Sequence, residues 1–467
     1  MKRKKSSIIV LLALSLLLVF SSSVSAAPLM QPMQKVKTIA DKIDKNRIQK
    51  HIERLADADN PRLTGFDGEH KAANYLEKRL KNYKLKTDRQ IFPVLAYIAR
   101  GSEITINSPE SKQLESNTFE YTPATPAEGI TSDIVYADLG KPEDFEGLDL
   151  EGKIAFIKRG ELSFYDKVQN AAAAGAIGAI IFNHSDGIIS GTLTQISDIP
   201  ALAMNKEEGE WVKSLLDEGQ TVSMTIKADA EYKPSYSQNV IAELPAKIAK
   251  KKAKTIVIGA HYDSIDGPGA NDNASGTATL LEVAKALSKE KFRHNIRFIF
   301  FGAEESGLIG AEKYVESLSD EEKQDIAAMI NLDMVGVGDT LNIMTAAEDS
   351  SSFVADLAEE YVSTYGYNYE RGASTRSDHK PFEDAGIPVA FFHYSEDPYY
   401  HTDEDTPDKI DKDNLYRVGT LTALLINHLG NQKKLPEREE APTMKIEGFT
   451  PGKVNSKDPL PAPAAKK

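Results

Sequence analysis

Apolar residues recur at helical spacing from Val36 to Leu80, and a turn at Asn60 to Asp67 divides the run. The pattern predicts two helices, the second carrying Ala72, Ala73, Leu76 and Leu80. Thr87 to Tyr97 reads as a strand, and Tyr121-Thr-Pro-Ala-Thr-Pro126 is a Pro-rich junction. Between about Ala127 and Ala230 the texture changes. Short β-rich runs, Ile154 to Ile157 and Ile177 to Phe182, flank a helix ending in Ala171-Ala-Ala-Ala-Gly175, which predicts a separate inserted module. After Asn239 apolar strands at Thr255 to Ala260, Ile296 to Gly302, Ala327 to Leu332 and Ile387 to His393 alternate with helical segments. That alternation predicts an α/β domain with a largely parallel sheet buried on both faces. Beyond Gln432 the chain is rich in Pro, Lys, Glu and Ala, with little to bury.

The amino terminus changes the picture first. Lys2 to Lys5 are all basic, Ile8 to Phe20 are mainly apolar, and Val24-Ser25-Ala26 offers small residues before a cut, so residues 1–26 read as a signal peptide of a secreted, extracellular protein. The apolar run is shorter than the ~20 residues a spanning helix needs, so no membrane association is expected once the signal is removed. Cysteine is absent, which removes disulfides and thiolate metal sites and leaves His, Asp and Glu as the available ligands. The formal net charge of -14 makes nucleic acid an unfavourable partner.

Candidate chemistry collects where strands end. In Ile258-Gly-Ala-His-Tyr-Asp263, His261 and Asp263 lie two residues apart and share a face if the chain stays extended. Asp263 would then orient the imidazole while its other nitrogen binds metal; alone, the pair is a weak signal and reads first as a buried His beside an ordinary Asp. Gly269-Ala-Asn-Asp-Asn-Ala-Ser-Gly276 places Asp272 just ahead of a helix, as a cap or as an ion ligand approached closely by small residues. Glu304 and Glu305 follow the apolar run Phe298 to Phe301. Two carboxylates there raise each other's pKa unless a cation is near, and alternation lets one bind metal while the other acts as a general base. Asp333 closes the strand Met329 to Leu332, and His401 lies in a polar loop after the last strand. Two His and three carboxylates suit a pair of divalent ions.

The ordered series His-Tyr-Asp-Ser264, Asn-Asp-Asn-Ala-Ser-Gly276, Glu-Glu-Ser-Gly307, Asn-Leu-Asp-Met334, Ser-Asp-His379 and Tyr-His-Thr402, with Arg62-Leu-Thr-Gly65 upstream, resembles the co-catalytic di-zinc aminopeptidases related to the transferrin receptor and glutamate carboxypeptidases. The middle of the chain, in Gly152-Lys-Ile-Ala-Phe-Ile-Lys-Arg-Gly160 and Ile199-Pro-Ala-Leu-Ala203, resembles the protease-associated (PA) domain. The resemblance implies a three-layer α/β/α zinc peptidase domain over 35–122 and 236–431, a PA insertion over 123–235 and a tail over 432–467. It implies two Zn2+, one held by His261, Asp272 and Asp333, the other by Asp272, Glu305 and His401, with Asp272 as the bridge. Glu304 becomes the general base, Asp263 the partner of His261, and the Asp272-Asn273 peptide a cis bond. Arg376 or Tyr399 would steady the oxyanion, and His379 and His393 would be structural.

The expected reaction is release of amino-terminal residues from peptides by a monomeric enzyme. A carboxypeptidase on the same site would need a cation for the substrate carboxylate, for which only Arg371 and Arg376 lie near the motifs. A receptor-like scaffold would have no use for a full set of ligands and a base.

Overall fold

Helix α1 (Lys45–Leu55) starts where Asp44 accepts the N–H groups of Asn46 and Arg47, and it buries Ile48, Ile52 and Leu55. Helix α2 (Asp67–Asn82) buries Ala72, Ala73, Leu76 and Leu80, the face its spacing predicts. This computed structural model describes residues 39–436 apart from 190, 249–251 and 266; the expected leader and nearly all of the expected tail lie outside the described residues.

Strand β1 (Lys86–Ser108) runs well past Tyr97, where the sequence pattern stops. Its partner explains why. β1 pairs antiparallel with a second long strand from Lys86 opposite Glu243 to Ser108 opposite Ser223, and at the middle of the ribbon Val94, Ala96 and Tyr97 of β1 are buried while the partner strand is largely exposed. The upper half of this ribbon belongs with the inserted module, because Ile104, Ile106 and Met224 share a hydrophobic cluster with Ile154, Phe156 and Ile180. Along the module run β2 (Lys112–Leu114), β3 (Ser116–Thr118), β4 (Ile130–Tyr136), β5 (Ile154–Lys158), β6 (Gly178–Phe182), β7 (Ala201–Met204) and then β8 (Ser223–Leu244), the ribbon's second strand. β4 to β7 are parallel neighbours. Helix α3 (Phe164–Ala173) covers one face through Val168 and Ala171, and α4 (Lys206–Asp217) covers the other through Val212.

The rest of the sheet is formed by β9 (Thr255–His261), β10 (Asn295–Phe301), β11 (Ile326–Leu332), β12 (Leu341–Thr345), β13 (Tyr369–Ala373) and β14 (Val389–Tyr394), in the order β13-β12-β14-β11-β9-β10-β8. β14, β11, β9 and β10 are parallel neighbours, while β12 against β14 and β8 against β10 are antiparallel. Both faces are covered. Ile256, Ile258, Phe298 and Phe300 pack on one side with α1, with α5 (Gly276–Leu287) and with the carboxyl-terminal helix. The alternate residues Val257, Ile299, Phe301 and Met329 pack on the other side with α6 (Ile309–Glu316) and with Phe382. Period-two alternation between two apolar clusters gives continuous apolar strands and three layers. Helix α7 (Phe353–Tyr365), α8 (His379–Asp384) and α9 (Lys412–Asn431) complete the cover. Among the described residues no helix is long and apolar enough to cross a membrane.

Candidate metal centre

Every expected ligand leaves the sheet at the same edge. His261 is the last residue of β9 and pairs with Phe301, the last of β10; Glu304 and Glu305 follow three and four residues after Phe301, Asp333 follows β11 directly, and His401 lies on the loop beyond β14. Carboxyl ends of parallel strands are where open α/β sheets bind ligands. Asp272 arrives from the turn before α5. Its backbone N–H and that of Asn271 are held by Asp405, at 3.0 and 2.7 Å. Asn273 donates to Leu332 O at 2.9 Å and accepts from Gly276 N at 2.8 Å. A Cβ on Gly276 would stand 2.3 Å from Leu332 O, so only glycine permits this approach of α5 to β11. The Asp272-Asn273 peptide is cis.

Asp272 spans the centre. Its Oδ1 lies 3.2 Å from His261 Nε2 and its Oδ2 3.1 Å from His401 Nε2. Asp333 Oδ1 is 3.1 Å from His261 Nε2, and Glu305 Oε2 is 3.4 Å from His401 Nε2. One candidate ligand atom each from His261, Asp272 and Glu305 lies within 4.8 Å of the others, and the same holds for His261, Glu304 and Asp333. Asp263 Oδ1 stands 3.6 Å from His261 Nδ1, an ion-pair separation beyond hydrogen-bond reach. Its two oxygens instead accept the backbone N–H groups of Glu304 and Glu305, each at 3.2 Å.

With this arrangement in view, the relatives are decisive. Residues 239–426 match peptidase family M28 and residues 122–212 match the PA domain. Aminopeptidase YwaD of Bacillus subtilis is 33% identical over 404 residues, covering 83% of this chain and 85% of that protein. The chain belongs to peptidase family M28. Among solved structures, an aminopeptidase from Aneurinibacillus sp. strain AM-1 is 37% identical with a TM-score of 0.79, covering 87% of this chain and 98% of that one. BSAP, a zinc aminopeptidase from Bacillus subtilis, is 31% identical with a TM-score of 0.71, covering 84% and 97%.

The donor set of this M28 peptidase fits divalent ions. Glu305 Oε1 and His401 Nε2 are buried without a hydrogen bond, which in a closely packed polar site marks a missing partner. Burial, reinforced by Asp272, pushes the Glu305 carboxyl up to about 7. Burial likewise pushes Glu304 well above the carboxylate range, with His261 opposing and Asp378 and Asp333 adding to the rise. Burial would lower His401, yet Glu305 and Asp272 raise it to about 10. Without a cation the cluster holds protons that metal ions would displace.

A cavity of about 330 Å3 opens over Asp272, Glu304, Glu305 and Asp333. Met334, Met344 and Phe391 form apolar wall, and Arg376 lines it while donating to the Tyr400 hydroxyl at 2.9 Å. Tyr399 is not among the lining residues and packs its ring beneath Lys409; the neighbouring Tyr400 lines the cavity and stacks on His401 with centroids 3.7 Å apart. His379 Nε2 donates to Ser374 O, 2.7 Å away, and its ring stacks on Phe391, while His393 Nδ1 lies 3.2 Å from Asp333 O. Sequence reasoning missed four supports: Asp405, Asn273, Thr64, which donates to Asp263 Oδ2 at 3.0 Å, and Ser377, which donates to Asp333 Oδ2 at 2.7 Å. Asp405 lies three residues beyond the Tyr-His-Thr402 motif, and its spacing carries no sign of its partner.

Proposed function

We propose that this M28 peptidase releases amino-terminal residues from peptides with the help of two zinc ions. His261, Asp272 and Asp333 would hold one ion, and Asp272, Glu305 and His401 the other. The observation that carries the reading is the placing of the two Asp272 oxygens against two different imidazoles, at 3.2 and 3.1 Å. The name zinc aminopeptidase borne by BSAP supports the choice of metal and reaction.

Zinc ions, when bound, supply a polarising charge to the scissile carbonyl and lower the pKa of water. Glu304 takes the proton of the attacking water on its carboxylate and returns it to the departing amine. Asp263 holds the turn on which Glu304 and Glu305 sit, and Asp405 holds the backbone of Asp272. Arg376 and Tyr400 offer donors at the cavity wall for the charge that develops on the carbonyl oxygen, whereas Tyr399 does not line that wall.

A carboxypeptidase is less well served. Arg371 is occupied by Asp356 and Glu359, at 3.1 and 2.9 Å, leaving Arg376 as the guanidinium on the cavity wall among the described residues. We also propose export through the leader at 1–26, a monomeric state, and a division into a discontinuous peptidase domain (35–122 and 236–431), PA insertion (123–235) and tail (432–467).

The deciding experiment measures zinc content and hydrolysis of matched peptides with free and acetylated amino termini. Near two ions per chain and turnover of the free peptide alone are expected. Equal turnover of the acetylated peptide rejects the aminopeptidase reading.

A further inference from the structure

Arg62 has no part in the chemistry above, yet it is one of the largest fully buried side chains of the molecule, 1% exposed. Burying a guanidinium is costly unless its donors are met. Four of them are met by backbone carbonyls. Nε donates to Tyr262 O at 2.6 Å, Nη1 to Leu55 O at 2.8 Å and to Pro268 O at 2.7 Å, and Nη2 to Gly269 O at 2.8 Å. The Arg62 backbone joins in, its N–H donating to Ser264 Oγ and its carbonyl accepting the Ser264 N–H, both at 3.1 Å.

Tyr262 and Ser264 open the loop that leaves His261, and Pro268 and Gly269 close it just before Asp272. One side chain therefore ties both ends of the excursion between two proposed metal ligands. The loop is shaped around it: Gly269 has φ +58, and a Cβ there would lie 3.0 Å from Arg62 Nη2 and 2.4 Å from Asp272 O. Burial pulls the guanidinium down to about 10 while Asp263, Asp405 and Asp272 oppose the fall, so it stays charged at neutral pH. A lysine has a single nitrogen and cannot reach carbonyls fanned around a planar fork.

We infer that Arg62 is a positioning residue, fixing the separation of His261 and Asp272 by tying the carbonyls at both ends of the loop between them, and thereby setting the affinity of the centre for metal. The inference rests on the metal-centre reading above.

The test is the zinc dissociation constant, measured by competition with a chromophoric chelator on the full chain. Arg62→Lys is expected to weaken binding by about tenfold or more, the scale on which supports of metal ligands act. Arg62→Ala should weaken it as well, and millimolar guanidinium should restore it, because truncation opens onto an adjoining cavity of about 290 Å3 lined by Leu55, Asn60 and Ala72. Methylammonium, with the charge but not the fork, should fail to restore it. If Arg62→Ala does not fold, Arg62→Lys decides alone. Zinc bound equally tightly by wild type and Arg62→Lys overturns the inference, as does equal rescue by the two cations. A wild-type protein that binds no zinc overturns the metal-centre reading itself, and this inference with it.

Discussion

Asp263 grips Glu304 by the backbone: its Oδ1 accepts the Glu304 N–H at 3.2 Å, while Oδ2 takes the N–H of Glu305 at the same distance and the hydroxyl of Thr64 at 3.0 Å. One carboxylate therefore organises the turn that presents both glutamates, a turn in which Ala303 adopts φ +56. Asp263→Asn replaces one acceptor by an NH2 group that faces a backbone donor. We expect kcat/KM to fall by about 10–100-fold and stability by roughly 1–3 kcal/mol. Steady-state kinetics beside urea unfolding checks both; an unaltered kcat/KM removes Asp263 from the machinery.

Glu304→Gln preserves the shape of the side chain and removes its ability to take a proton. The expected loss in kcat is about 10²–10⁴-fold, with zinc content unchanged. Turnover at the wild-type rate excludes Glu304 as the base, and a drop in zinc content identifies it as a ligand instead, a role its closeness to His261 and Asp333 permits.

Ser377 stands between Asn331 and Asp333: Asn331 Nδ2 donates to Ser377 Oγ at 2.7 Å, and Ser377 Oγ donates to Asp333 Oδ2 at 2.7 Å. All three are buried, so the relay fixes which oxygen of Asp333 turns toward His261. Ser377→Ala frees that carboxylate. Zinc affinity should fall by about 10–100-fold, read by titration against a chelator, and an unchanged affinity rejects the relay.

What the sequence disclosed follows from local rules. Residues 255–261 and 326–332 are buried throughout and mostly apolar because each strand is covered on both faces, and His261 and Asp333 stand out at the carboxyl ends of these runs. Asp405 and Ser377 gave no such sign, because each is recognised only by a partner more than forty residues away in the chain. Tyr399 and Tyr400 are adjacent and alike in sequence. Their directions are set by a turn in which Thr402 N–H returns to Tyr399 O at 3.1 Å and His401 adopts φ +55, geometry that periodicity does not carry. The length of β1 was hidden for the same reason, since its extension depends on pairing with β8.

Acid should destabilise the protein through a histidine that is not one of the proposed metal ligands. His51 is 3% exposed, with Nδ1 2.5 Å from the Tyr75 hydroxyl. Burial, helped by Arg79 and Lys285, pulls its pKa down to about 4. Unfolded, the same imidazole titrates near ~6.5, so between these values the unfolded chain binds the extra proton. Its contribution is therefore fully present above pH ~6.5 and is lost as pH falls toward ~4, by about 3 kcal/mol at most. Urea midpoints of chelator-treated protein, compared at pH 7.5 and pH 5, separate this from release of metal. His51→Gln should lose less stability across that interval than wild type; an identical loss places the acid sensitivity elsewhere.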